Sequence, residues 1–147
     1  MRIRPMEPKD RQEWIRLRLA LFPDHNVADL AREAAEIAAD PARQCVFFAE
    51  DDSGQLVGLV EGRIRPIVDG CRTENVGYLE AWYVEPTIRR KGIGRDLVAA
   101  VQAWAMSRGC RELASDCELH NDVSQAAHRA IGFEETLRLI HFRRDIP

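Results

Sequence analysis

The chain has 147 residues, of which 46% are hydrophobic and 31% charged, and a formal net charge of −3. That length suits one domain, residues 1–147, with a single sizeable core. No apolar run approaches a membrane span, and Met1-Arg2-Ile3-Arg4-Pro5 has no apolar stretch of the signal-peptide kind. The mildly acidic balance argues against a nucleic-acid partner, so a cytoplasmic protein without membrane or nucleic-acid partners is expected. Cys45, Cys71, Cys110 and Cys117 form no Cys-x-x-Cys pair and stand at no metal-ligand spacing from a histidine. Buried reduced thiols, and no metal, are the expectation.

In chain order, Arg2–Pro5 alternates as a short strand. From Glu7 to Phe22 the apolar positions Trp14, Leu17 and Leu21, with Ile15, Leu19 and Phe22, recur at helix spacing. Pro23-Asp24-His25-Asn26 breaks this helix. Val27, Leu30, Ala34, Ile37 and Ala38 predict a second, ending before Pro41. The period then changes to that of strands. Gln44–Glu50 and Gln55–Ile67 flank the turn Asp51-Asp52-Ser53-Gly54, and Val76–Val84 follows the turn signal Asp69-Gly70. Gly92–Arg108 reads as a helix closed by Gly109. A short buried strand is predicted over Glu112–Cys117, a helix over Val123–Ala130 stopped by Gly132, and a last strand over Phe133–Arg143. The strand–helix–strand unit near the C-terminus implies one parallel pair, and the hairpins imply antiparallel pairing. The fold class is therefore α/β (α+β), a mixed and mostly antiparallel central sheet with helices on both faces.

The richest local signal is Val84-Glu85-Pro86-Thr87-Ile88-Arg89-Arg90-Lys91-Gly92-Ile93-Gly94. A strand stops at proline, a basic glycine-punctuated loop follows, and a helix begins. Unpaired N–H groups and the positive end of a helix dipole meet there, as an anion site requires. By itself the loop is equally compatible with a plain solvated turn. A Walker loop is excluded by the missing Gly-Lys-Ser/Thr, and a dinucleotide fingerprint by the missing third glycine and the late position.

Arg89-x-x-Gly92-x-Gly94 is similar to the Arg/Gln-x-x-Gly-x-Gly/Ala signature of the GCN5-related N-acetyltransferase (GNAT) family. Asn121 and Ala127-His128-Arg129-Ala130-Ile131-Gly132-Phe133 resemble its second motif, and the element order matches over essentially the whole chain. Tyr78-Leu79-Glu80, Gly109 to Asp116, Gly132 to Thr136, Leu21-Phe22-Pro23 and Val101-Gln102-x-Trp104 resemble the branch of bacterial aminoglycoside 6′-N-acetyltransferases.

This resemblance implies a GNAT fold with a splayed parallel strand pair holding acetyl-CoA as co-substrate. The pyrophosphate falls to the amides of Arg90, Lys91, Gly92, Ile93, Gly94 and Arg95, with Arg89 adding charge. The pantetheine arm falls to main-chain groups of Trp82, Tyr83 and Val84, and Asn121 both caps its helix and meets the cofactor. Glycines that admit a close backbone and a helix dipole favour that placement on physical grounds too. Ordinary buried strand residues and a simple helix cap are the alternative readings.

Acetyl transfer needs a neutral amine, so a proton must leave an alkylammonium acceptor. Glu80, the odd residue of an apolar strand, and Asp116, at the end of a predicted buried strand, are the candidate catalytic carboxylates; an edge glutamate and a turn aspartate are the plainer reading. The branch resemblance adds Phe22, Ile67 and Glu135, with Glu80 and Asp116, as acceptor-binding positions. Glu74, Glu118 and Glu134 would extend an acidic wall. Phe22 stands where the branch has a tryptophan, and Leu137 where it has an acid. His128 replaces the tyrosine common in the family, and a surface or packing role is assigned to it. The acceptor expected is an aminoglycoside. Another cationic amine is the nearest alternative, and a non-catalytic acyl-CoA-binding module the more distant one. The C-terminal strand suggests a homodimer.

Overall fold

The structure is a computed structural model that describes all residues 1–147. Its element order is β1 (Arg2–Pro5), α1 (Arg11–Leu21), α2 (Val27–Ala38), β2 (Gln44–Glu50), β3 (Leu56–Arg65), β4 (Val76–Val84), α3 (Ile93–Ser107), β5 (Leu113–Ala114) and α4 (Asp122–Ala130). The five strands form one sheet in sequence order. The first three pairings are antiparallel and β4–β5 is parallel. Helices cover both faces, as the alternating sequence pattern requires.

Alternation along the central strands sorts the core into two layers. Val46, Phe48 and Leu59 face α1 and α2, where they enclose Trp14, Leu17 and Ala34. Cys45, Val57, Val60 and Leu79 face α3 and enclose Ile93, Leu97, Val98 and Val101. Gly62 lets α3 press onto the sheet, because a Cβ there would stand 2.7 Å from Val101 Cγ1 and 2.9 Å from Cys45 Sγ. Helix α2 begins where Asn26 accepts from the amides of Ala28 and Asp29, at 2.8 and 3.3 Å, satisfying two of the donors a helix start leaves open.

Charges are buried only where they are paired. Arg4 of β1 donates to Asp10 at 2.8 and 2.9 Å and also reaches Glu50. The Arg4 hydrogen bonds hold Asp10 below the ordinary carboxylate value, against the upward push of burial. Arg18 of α1 is buried between Glu61 of β3 and Glu33 of α2. Desolvation pushes the Glu61 carboxyl up to about 7, against the downward pull of Arg18.

The structure corrects three expectations. No strand forms over Phe133–Arg143. A strand must exchange hydrogen bonds with a neighbour, and this segment finds none within the chain. Beyond Phe133, which packs against the core, its apolar residues are left in water, Phe142 being 91% exposed and Ile140 79%. The predicted strand Glu112–Cys117 shortens to Leu113–Ala114 and is half-buried. Cys117, beyond its end, is consequently exposed rather than buried, whereas Cys45 and Cys110 are buried and all four thiols are free. The first helix starts at Arg11 rather than Glu7, after a short 3₁₀ turn at Pro8–Asp10.

Candidate active site

The site begins with one extra residue in β4. Glu61 lies opposite Ala81 and Gly62 opposite Leu79, so Glu80 has no partner on β3. It is a β-bulge, which bends a strand and re-aims its side chains. The bulge also reverses which main-chain groups face each neighbour. Before it, Gly77 N–H donates toward β5, to Glu112 O at 3.1 Å. After it, Glu85 N–H donates to Val57 O on the β3 side at 3.0 Å. Successive residues of a strand alternate between the two sides, so the polar main-chain groups of Trp82 and Val84 point toward β5.

There β5 is no longer adjacent. The parallel ladder consists of Gly77↔Leu113 and Tyr78↔Ala114 and then stops. The second half of β4 therefore offers one unpaired edge, bordered by the α3 loop and by α4. Val84 O is taken by Arg89, whose Nε donates to it at 2.7 Å. The Arg89 guanidinium also lies 5.7 Å from the centre of the Tyr83 ring. Arg89 thus straps the loop to the strand end as well as adding charge.

The loop leaves a row of main-chain donors without partners, as an anion site requires. The first main-chain bond into α3 is Asp96 N to Gly92 O, at 3.0 Å. The amides of Gly92, Ile93, Gly94 and Arg95 precede it, and no side chain caps them. Gly92 is left-handed, with φ 85°, as is Arg90, with φ 66°. No atom lies within 4 Å of where a Gly92 Cβ would be, so its backbone is open to a ligand. Gly94 differs. A Cβ there would stand 3.1 Å from Trp82 Cζ2, and Trp82 Nε1 donates to Gly94 O at 3.2 Å. This glycine makes room for a tryptophan. Arg90, Lys91 and Arg95 are exposed around the loop, while the Ile93 side chain is buried in the core.

Facing the bulge from the other direction is a charged cluster. Arg65, the last residue of β3, grips Glu80 with a guanidinium fork, Nε to Oε1 at 2.8 Å and Nη2 to Oε2 at 2.7 Å. The same guanidinium stacks over Tyr78, 3.6 Å from the ring centre. The Tyr78 hydroxyl in turn donates to Asp116. Desolvation first, and then Asp116, push the Tyr78 phenol well above its ordinary range. The two carboxylates singled out in the sequence are thus joined through Arg65 and Tyr78. Sequence reasoning gave neither intermediary a role. An arginine ending a strand and a tyrosine within one carry no distinctive pattern. Asp116 is exposed, not buried as its predicted strand implied.

Phe22 follows α1 and stacks on His25, ring centres 4.9 Å apart. It also lies 6.0 Å from the guanidinium of Arg18, which pairs with Glu61, the residue opposite Ala81 next to the bulge. Ile67, 73% exposed, lines an open cleft with Arg63, Arg65, Arg43 and Asp40. Glu135 is exposed and ion-paired with Arg129 and Arg138. No contact joins it to Glu80 or Asp116. Glu74, Glu118 and Glu134 are exposed too.

Asn121 caps α4, its side chain accepting from Ser124 N at 3.0 Å. His128, assigned to packing or surface from the sequence, is half-buried and has both ring nitrogens engaged. Nδ1 lies 2.7 Å from Ser124 O and Nε2 2.7 Å from Ser115 Oγ. A carbonyl can only accept, so Nδ1 carries a proton, and in the neutral ring Nε2 receives the Ser115 hydroxyl proton. The ring packs edge-on against Trp82 at 5.1 Å and near Phe133 at 5.3 Å. No group of His, Cys, Asp or Glu is placed to hold a metal ion, and no helix is long and apolar enough to cross a membrane.

A strand with an unpaired polar edge, an uncapped basic helix start beside it and a carboxylate cluster at its bulge thus adjoin one another, with donors suited to an anion and carboxylates suited to a cation. Residues 11–133 match the model of the Acetyltransferase (GNAT) family, and the chain belongs to that family. It is 46% identical over 142 residues to the aminoglycoside N(6′)-acetyltransferase type 1 of Stenotrophomonas maltophilia, covering 96% of this chain and 91% of that one. The protein of the same name from Klebsiella aerogenes is 40% identical, over 98% and 96% of the two chains. Among solved structures, AAC(6′)-Iy in complex with the bisubstrate analogue CoA-S-monomethyl-acetylneamine superposes with a TM-score of 0.93 at 37% identity, over 99% and 98% of the chains. The apo 6′-N-acetyltransferase AAC(6′)-IG from Acinetobacter haemolyticus gives 0.94 at 33% identity over the whole of both.

Proposed function

We propose that this protein transfers an acetyl group from acetyl-CoA directly to the 6′-amine of aminoglycosides. The observation that carries this reading is the bulge at Glu80, which turns the main chain of Trp82 and Val84 into the strand gap next to the carboxylates of Glu80 and Asp116. The full-length likeness to aminoglycoside N(6′)-acetyltransferases supports the choice of acceptor.

Acetyl-CoA, when bound, supplies the activated acetyl thioester. The residues present fit it. The uncapped amides from Gly92 to Arg95, with Arg90 and Lys91 beside them, suit a diphosphate. The edge of Trp82 and Val84 suits an amide-bearing arm, and the Val84 N–H is a donor for a polarised carbonyl. Glu80 and Asp116 hold the acceptor's cationic nitrogen and take its proton, directly or through water. Phe22 and Ile67 supply apolar walls. Glu135 joins the acceptor site only through a rearrangement of its pairs with Arg129 and Arg138. Asn121 adds a polar contact to the cofactor beside its cap. Proximity supplies most of the acceleration.

The exposed apolar C-terminal segment, including Leu139, Ile140 and Phe142, further supports a homodimer in which residues 137–143 gain the partner strand they lack in the monomer. We infer a cytoplasmic site of action from the dependence on acetyl-CoA.

The test is thiol release from acetyl-CoA with a panel of amines. Release with kanamycin-type aminoglycosides, and none with a 6′-hydroxyl analogue, is expected. Release with polyamines or protein amines alone would replace the acceptor, and binding of acetyl-CoA without any turnover would replace the enzyme by a sensor. Glu80→Gln and Asp116→Asn are each expected to cut turnover at least ten-fold while leaving acetyl-CoA affinity near that of the parent.

A further inference from the structure

The Glu80 carboxylate already has a cation on it. Arg65 supplies two parallel N–H···O bonds of 2.8 and 2.7 Å, the fork geometry in which a guanidinium binds a carboxylate most strongly. The stack on Tyr78 at 3.6 Å holds the guanidinium plane in place. Both side chains remain partly open to solvent, Arg65 at 39% and Glu80 at 29%, so the pair is a site occupant and not a core element. The charge count follows. With Arg65 seated, the cluster of Arg65, Glu80 and Asp116 carries one net negative charge; without it, two.

We propose that Arg65 determines which acceptors the site accepts, by acting as a built-in cation on Glu80 that an incoming ammonium must displace. This rests on the reading of Glu80 and Asp116 as the acceptor site. A single ammonium that replaces the fork exchanges one charge-assisted contact for another and gains little. An acceptor with several ammonium groups displaces Arg65 with one and engages Asp116 with another, so only the second kind binds at working concentrations. Displacement leaves the guanidinium free to swing toward the open cleft beside Asp40 and Ile67. The device is a threshold on affinity: apparent binding is reduced by the fraction of protein in which Glu80 is free.

The experiment is calorimetric titration of the CoA-saturated protein with a monoamine, 2-aminoethanol, and with a kanamycin-type aminoglycoside, in the parent, Arg65→Met, Arg65→Lys and Glu80→Gln; the parent should bind the aminoglycoside far more tightly than the monoamine. Arg65→Met keeps an apolar stem over Tyr78 and removes the fork. It is expected to bind both probes about ten-fold more tightly, the size of one partly exposed charge-assisted contact, and to show a steeper loss of affinity with salt. Arg65→Lys, which keeps the charge and loses the fork, should fall between. Unchanged or weaker binding in Arg65→Met would overturn the proposal and make Arg65 a positioning residue for Glu80. Glu80→Gln separates the two readings. If it weakens both probes while Arg65→Met fails to tighten them, only the role of Arg65 falls; if it leaves both unchanged, the acceptor site itself lies elsewhere. Thermal melts of each variant exclude misfolding as the cause.

Discussion

Gly62→Ala probes the packing that sets the bulge. Gly62 lies opposite Leu79, the residue just before Glu80, and the register slips at this point. A methyl group there would meet Val101 Cγ1 at 2.7 Å and Cys45 Sγ at 2.9 Å. Carbon atoms in contact settle at about 3.5–4.0 Å, so roughly 1 Å must open between sheet and helix. Val101 is fully buried and has little rotamer freedom on a helix. Overpacking of this kind costs about 1–3 kcal/mol. Replacing glycine in a strand returns about 0.5–1 kcal/mol of chain entropy, which leaves a net loss of about 0–2.5 kcal/mol, centred near 1 kcal/mol. For a domain of this size that centre is a drop in Tm of roughly 3 °C. Urea unfolding of the single variants and of Gly62→Ala/Val101→Ala completes the cycle. Val101→Ala alone leaves a cavity worth roughly 2 kcal/mol, and the methyl that Gly62→Ala introduces should partly fill it. The double variant is expected to be more stable than the summed losses by about 1 kcal/mol or more. Additive losses in this cycle would show that α3 does not sit on the sheet through this glycine.

Glu61, raised by burial from 4.5 to about 7, binds more protons in the folded than in the unfolded chain across that interval. Its contribution to stability therefore falls as pH rises from about 4.5 to 7, by at most about 3 kcal/mol. Urea unfolding at pH 5 and pH 8 should show this loss in the parent and not in Glu61→Gln, although the variant is less stable at both because Arg18 loses a partner; equal pH slopes would remove Glu61 as the cause. Asn121→Ala removes the acceptor for Ser124 N and should weaken α4 by about 1 kcal/mol. Hydrogen exchange of the first-turn amides of α4 should speed accordingly, and unaltered exchange would show that the cap contributes nothing there.

The layered sheet was legible because long periodic stretches carry their own burial. Trp14 and Leu17 at helix spacing, and Val46, Phe48 and Leu59 on alternating strands, specify the faces they pack on. The end of the sheet was not legible for the same reason. Leu137 and Leu139, and Ile140 and Phe142, are spaced by two as in a strand, but alternation specifies a face, not a partner. The edge strand β5 is only two residues long, so it gives this segment too little backbone to pair with. The uncapped helix start at Gly92 was readable from its glycines and its position between strand and helix. The particular work of Gly94 was not, since Trp82 reaches it from another element. In the charged cluster at the bulge, Glu80 stood out as a charge in an apolar run. Arg65 and Tyr78 became visible only through contacts spanning two strands, which no local pattern encodes.

The bulge also explains why the second half of β4 carries an unpaired edge next to the cluster of Arg65, Glu80, Tyr78 and Asp116. Gly77 and Glu85 are separated by an even number of residues, so an unbroken strand would point their amides the same way. They point oppositely, Gly77 to Glu112 and Glu85 to Val57. The single inserted residue supplies the missing reversal. Without it, Trp82 and Val84 would spend their main-chain groups on β3, and the gap beside β5 would face Tyr83 instead. The contact of Glu80 with Arg65 does not depend on the inserted residue, because Tyr78 and Glu80 share a face of β4 and Arg65 reaches both. One extra residue therefore creates the unpaired edge at Trp82 and Val84. On the proposed function, a change that removed it would disable cofactor binding, while Glu80→Gln, which leaves the backbone count intact, would touch only the acceptor.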